Sequence, residues 1–264
     1  ILNEREFVLV RTSRNRNKIN AEEADVLNEK SIGIVGLSVG QTIASTIALE
    51  RSAGKLFLAD FDNLELSNLN RIRTSLLNSG LSKAVIISRE IAELDPFFHV
   101  EIFPEGITEK NINLFFSICD IVVDECDDLL IKIRLRENAK KYRKPIVMDT
   151  SDNIFIDIER YDIDNEYPMF HGLLGNQEFN EGVKEDQRLQ LVMKILEYDT
   201  ISTRGKESIQ EIGKSLLTWP QLASDVIAGG GCAVKIIREI LLKSPIASQR
   251  FRFDIINHLK QIRS

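Results

Sequence analysis

Cysteine is scarce in this chain, with Cys119, Cys126 and Cys232 the only three in 264 residues and no CxxC pair among them. That count argues against a disulfide framework and against a thiolate zinc site, and it suits a reducing cytoplasm. His99, His171 and His258 stand singly, without a second ligand nearby in sequence, so no zinc is expected. A basic stripe is missing too. Lys and Arg total 34 against 40 Asp and Glu, for a net charge of −6, which leaves no surface suited to nucleic-acid phosphates. No uninterrupted apolar run spans a bilayer: the one charge-free stretch long enough, 31–49, is broken by Gly33, Gly36, Gly40 and Gln41 and reads as a buried strand plus a helix. Internal repeats and low-complexity tracts are absent. The first residue is Ile1 rather than Met, so the sequence reads as a processed chain or a domain cut from a longer one.

What is present is ordinary globular usage, 43% hydrophobic and 28% charged, enough to build a sizeable core. Residues 1–30 are polar and read as an arm followed by a short helix, for which Asn20 and Glu23 supply a capping box. Apolar, β-branched runs at 31–35 and 55–59 flank a helical pattern at 41–52, giving a βαβ unit with a right-handed crossover. The alternation continues with a helix at 83–94 stopped by Pro96, a strand at 99–103, a helix near 110–116 and a strand at 121–123. A helix at 130–141 and a strand at 146–148 ending on Asp149 follow. Strands alternating with helices define an α/β class with a mostly parallel sheet flanked by helices. Residues 154–161 predict an extra, antiparallel strand, 165–182 a loop and 184–198 a helix. Gly229-Gly230-Gly231 introduces a final helix at 232–242.

Chemistry begins where the first strand ends. Gly36-Leu-Ser-Val-Gly40 puts small residues between a strand and a helix, the place where backbone N–H groups bind phosphate. Asp60 ends the second strand 24 residues after Gly36, near the offset of about 20 at which an acid meets a ribose in dinucleotide folds. Alone, these two features fit a nicotinamide or flavin enzyme equally well. The segment Asp60-Phe-Asp-Asn-Leu-Glu-Leu-Ser-Asn-Leu-Asn-Arg71, then Gly80-Leu-Ser-Lys83, then Asp124-Glu-Cys-Asp127 separates them, because hydride transfer has no use for so many fixed charges together.

These four segments, in this order over residues 11–150, resemble the ubiquitin-activating-enzyme-like adenylating proteins, the ThiF/MoeB/HesA group. The resemblance implies a Rossmann-like fold, ATP and Mg²⁺ as cofactors, and adenylation of a carboxylate to an acyl-adenylate with release of pyrophosphate. It assigns Asp60 to the ribose, Asn68, Arg71 and Lys83 to the phosphates, and Asp127 to Mg²⁺. Gly36, Ser38, Gly40 and Asp62 fall within the same nucleotide motifs. Arg14 matches an arginine that reaches the ATP of a partner subunit, which implies a homodimer. Residues 31–150 would then form the nucleotide-binding half of one domain spanning 31–264, with 151–264 as the acceptor and dimer half.

The departures from the pattern matter as well. The glycine turn is one residue short, Ser38 stands where glycine is expected, Ile72 replaces a glutamine, and the CxxC pairs of many relatives are missing. A shortened turn also fits a non-catalytic nucleotide-binding scaffold. Cys126, between two acids, should have a raised thiol pKa and be a poor nucleophile, while Cys232, at an expected helix start, either packs or carries a lowered one. The acceptor is either the C-terminal glycine of a ubiquitin-like carrier or a small-molecule carboxylate. His171-Gly-Leu-Leu-Gly175 and the polar stretch after it read as a loop with flexible ends crossing over that acceptor.

Overall fold

The computed structural model describes residues 2–150, 152–175 and 185–261. Two short helices lead the chain, α1 (Glu4–Arg11) and α2 (Ala21–Asn28), each begun by a complete capping box, Asn3 with Glu6 and Asn20 with Glu23. A glutamate at the third helical position answers the cap, so two unpaired N–H groups are satisfied at once. The nucleotide-motif half then alternates: β1 (Ser31–Val35), α3 (Gly40–Glu50), β2 (Lys55–Ala59), α4 (Lys83–Leu94), β3 (His99–Phe103), α5 (Ile112–Ile118), β4 (Ile121–Asp124), α6 (Leu129–Tyr142) and β5 (Pro145–Thr150). β6 (Phe155–Arg160), α7 (Glu185–Ile195), α8 (Thr203–Glu211), α9 (Ala223–Leu241), β7 (Gln249–Arg252) and α10 (Ile255–Gln261) complete it.

Among the described residues the strands form one seven-stranded sheet in the order β3-β2-β1-β4-β5-β6-β7. The first five are parallel, and β6 and β7 add on antiparallel. This is a Rossmann-like sheet whose strand order reverses between β1 and β4, so the crevice at their C-terminal ends is a topological switch point. Every residue of β1 is buried, as a central strand covered on both faces requires.

Side chains alternate across the pleat and build two cores. Ile32, Ile34, Leu56, Leu58, Ile121, Val123 and Val147 face α3, α4 and α9. Phe57, Phe103, Val122 and Ile146 face the other way, against Phe115 and Phe116 of α5 and Leu135 and Ala139 of α6. The N-terminal helix is fastened by charge: Asp95, fully buried just after α4, receives Arg51 at 2.7 Å and Arg11 at 3.0 Å. Among the described residues no helix is long and apolar enough to cross a membrane.

Three expectations change. The polar N-terminal arm contains a helix, α1, with no buried residue and therefore little periodicity to read. The glycine triplet lies inside α9, which starts at Ala223, rather than ahead of it. The reason is close approach: a Cβ on Gly229 would stand 2.2 Å from an Asp149 carboxyl oxygen, and one on Gly230 2.9 Å from Thr42. Thirdly, the start of the supposed acceptor loop is anchored. His171 bonds Asp157 at 2.9 Å and Tyr167 at 3.0 Å, and Leu174 is buried; residues 176–184 of that loop lie outside the described residues.

Candidate functional site

The turn after β1 is shaped by contact as much as by conformation. Gly36 has φ +89°, and a Cβ there would lie 2.4 Å from the carbonyl oxygen of Glu125, so only glycine fits. Its N–H still bonds Ala59 at the end of β2. Gly40 opens α3 against Ile34, leaving the first-turn N–H groups of the helix turned toward the sheet's C-terminal edge.

Asp60 joins the turn directly. One carboxyl oxygen accepts the Leu37 N–H at 2.6 Å and the other accepts the Asp62 N–H at 2.7 Å. Burial pushes this carboxyl above its ordinary pKa, while those amides and the Lys83 ammonium pull the other way. Lys83, itself buried at the start of α4, pairs with Asp62 at 2.8 Å. Asn68 is buried and holds the turn by accepting the Glu65 N–H.

Arg71 crosses the crevice. Its Nε donates to the Ser38 hydroxyl at 2.9 Å, so the serine standing where a glycine was expected serves as the arginine's seat. Burial lowers the Arg71 pKa, and the nearby Asp127 carboxylate opposes that. Asp127 itself is exposed. The structure thus gathers Gly36, Ser38, Gly40, Asp60, Asp62, Asn68, Arg71, Lys83 and Asp127 at one sheet edge. Arg14 is elsewhere. It is exposed beside Asn15, whose side chain bonds the Glu50 carbonyl at the far end of α3, about 16 Å of helix from the glycine turn.

The model of the ThiF family matches residues 12–185, which contain every one of these positions. The chain belongs to the ThiF family. It is 41% identical over 257 residues to the uncharacterized protein MT1398 of Mycobacterium tuberculosis (strain CDC 1551 / Oshkosh), covering 97% of this chain and 36% of that protein. To the sulfur carrier protein adenylyltransferase of Thermus thermophilus it is 23% identical over 155 residues, 58% of this chain and 54% of the relative. The chain therefore spans about a third to a half of the length of these relatives. Among solved structures, E. coli tRNA N6-threonylcarbamoyladenosine dehydratase in complex with ATP superposes with TM-score 0.64 at 17% identity, covering 92% of this chain and 98% of that one.

Behind this ThiF-family edge lie Asp124 and Glu125, which the motif contains without a role, and partners that sequence reasoning missed. Asp124, fully buried at the end of β4, binds Lys132 at 3.0 Å and Arg136 at 2.5 Å, both from α6. Burial alone would raise this carboxyl, but the two cations outweigh it and hold it at about 2. Arg136 also binds Glu159 at 2.6 Å and stacks on Phe170 at 3.9 Å, tying the end of β4 to β6. On the sheet's opposite face, Glu125 and Asp149 are buried acids. Burial pushes both well above the carboxylate range, and Asp149 raises Glu125 further. Among the described residues, neither Asp149 oxygen meets a donor in hydrogen-bonding geometry. Glu125 stood inside the quoted motif without a role, and the sequence signal for Asp149 was a strand ending on an acid.

The cysteines can be placed as well. The Cys126 thiol lies 3.1 Å from Asp124, and burial together with that carboxylate raises its pKa well above the ordinary value, as its acidic neighbours predicted. Cys232 is raised too, first by burial and then by the Asp149 carboxylate, and it sits mid-helix rather than at the helix start that would lower a thiol pKa.

Proposed function

We propose that this chain binds ATP with Mg²⁺ at the edge described and adenylates a carboxylate, releasing pyrophosphate. The observation that carries this reading is Arg71, held by Ser38 of the glycine turn at one side and facing Asp127 at the other. In that position a fixed guanidinium lies between a phosphate-binding turn and an acidic group, where a triphosphate and its metal would run. Asp60 would take the ribose. Asn68, Arg71 and Lys83 would take the phosphates.

Attack of a carboxylate on the α-phosphate builds negative charge, which preorganised cations stabilise without the reorganisation that water needs. Arg71 is locked by its bond to Ser38 and Lys83 by its pair with Asp62, so both are oriented in advance. Among the described residues no three His, Cys, Asp or Glu side chains gather to hold a metal. Mg²⁺ does not need such a cage, since it binds through one or two carboxylates plus substrate phosphates and keeps several waters. Asp127, exposed and without a hydrogen bond to the described chain, fits that requirement. When bound, the ion would neutralise phosphate charge and polarise the reacting phosphorus.

The acceptor is a ubiquitin-like or sulfur-carrier C-terminus or a small acid; the Thermus relative carries the first in its name. The free cysteines suit a reducing compartment such as the cytoplasm. Melting temperature with ATP–Mg²⁺, NAD⁺ or NADPH tests the nucleotide, because a ligand that binds only the folded state raises it. ATP–Mg²⁺ should raise it, and Asp127→Ala and Arg71→Ala should each remove most of the rise. A shift with NAD⁺ alone would make the chain an oxidoreductase, and no shift at all a scaffold.

A further inference from the structure

One residue lies close against Gly36 of the phosphate turn and is also tied to two strands. The Glu125 carbonyl oxygen would stand 2.4 Å from a Cβ on Gly36, and its Cγ 3.7 Å from one on Gly40. Its N–H bonds the Val35 carbonyl at the end of β1 at 2.8 Å. Its carboxyl oxygen Oε1 accepts the main-chain N–H of Asp149, near the end of β5, at 2.9 Å.

That last bond has a specific place in the sheet. β4 and β5 are in register only at Val122↔Ile146 and Val123↔Val147, so their ladder stops two residues before Asp149. Beyond it β4 and β5 share no further ladder pair, on the strand next to the β1–β4 switch point where open α/β sheets admit a ligand. The Glu125 side chain spans the gap and stands in for the missing rung. An apolar residue would fill the same space, but it would leave the buried Asp149 N–H without an acceptor and the two strand ends without a tie.

We propose that Glu125 is a positioning residue of the nucleotide site: by bridging the β4–β5 gap while its backbone lies close against Gly36, it fixes the loop carrying Asp127 at a set distance from the phosphate turn. The inference rests on the ATP–Mg²⁺ reading above. Its consequence is that the turn and the metal-side carboxylate act on one triphosphate at the same time only while Glu125 holds them together. Without that bridge the turn still binds phosphate, but Asp127 no longer meets the phosphate-bound ion in register.

The test needs no acceptor, only ATP as the probe, titrated into the full chain with EDTA and again with Mg²⁺. In the wild type Mg²⁺ should tighten ATP binding by about tenfold or more, the size expected of an allosteric-scale coupling. Glu125→Met keeps the stem's volume and removes the acceptor; it should bind ATP in EDTA within about threefold of wild type yet lose most of the Mg²⁺ increment, while Glu125→Gln, which keeps the acceptor, should retain it. A purely structural residue would lower the melting temperature of the free chain and leave the increment alone. An increment that survives Glu125→Met, or that Glu125→Gln loses equally, overturns this inference and leaves the ATP reading intact. If wild-type chain binds no ATP, both fall.

Discussion

Asp149 stands out at the scale of single residues, because among the described residues neither of its buried carboxyl oxygens meets a donor in hydrogen-bonding geometry, and it sits on the same sheet face as a second buried acid, Glu125. Burial raises its folded-state pKa above the unfolded value of about 4. A raised carboxyl contributes stability that is fully present below the unfolded pKa and is lost as pH rises through the folded one. Wild-type stability should therefore fall as pH climbs from about 4 toward neutrality, and Asp149→Asn, which cannot ionise, should flatten that fall. Urea midpoints at acidic, mildly acidic and slightly alkaline pH decide it: equal losses in the two proteins would clear Asp149 of the effect. This is also the scale at which the sequence was least informative about the site. Asp60, Asn68, Arg71, Lys83 and Asp127 were legible because they fall in contiguous motifs after strand ends. Asp149, Arg136 and Glu159 were not, since their partners lie 24, 12 and 23 residues away along the chain and nothing in local spacing pairs them.

At the scale of elements, reading improves where burial is two-sided and worsens where it is absent. β1 and β2 lie where apolar runs predicted them, because a strand covered on both faces is a nearly continuous hydrophobic run, and α4 lies where its one-sided apolar spacing and Pro96 placed it. α1, with no buried face, left no such trace. α9 was misread for the opposite reason: its glycines look like a helix boundary, but Gly229 and Gly230 are the contact surface of a helix lying close on the sheet and on α3. Gly229 and Gly231, two residues apart, allow that explanation to be checked. Gly229→Ala must displace the Asp149 carboxyl, 2.2 Å from the new Cβ, whereas a Cβ on Gly231 meets nothing within 4 Å. Alanine is the better helix former by about 1 kcal/mol, so Gly231→Ala should stabilise the chain by about that much. Gly229→Ala should instead destabilise it by about 1–3 kcal/mol, since overpacking outweighs the propensity gain. Opposite shifts in denaturation midpoint are expected; two stabilising substitutions would mean that the glycines are incidental to the packing.

For the molecule as a whole, the position of Arg14 makes a demand on assembly. It lies at the C-terminal end of α3, held there by Arg11 on the Ala48 and Leu49 carbonyls and by Asn15 on that of Glu50, while the phosphate turn lies at the other end of the same helix. An arginine side chain cannot cover that length, so if Arg14 serves the nucleotide site at all, it serves the site of a second copy. Arg14→Ala and Asp127→Ala would then each be inactive alone and yet complement each other, because a mixed pair assembles one site with an intact Asp127 facing an intact Arg14. Random pairing of equal amounts makes half of all pairs mixed with one working site in each, so about a quarter of wild-type adenylation should return. The measurement is pyrophosphate exchange on the mixture after dissociation and reassembly, with each variant alone as the baseline. Recovery near that fraction would make the twofold assembly part of the catalytic machinery. Full activity of Arg14→Ala by itself would confine the site to one chain and reduce the arm to a fastening of α1 against Asp95.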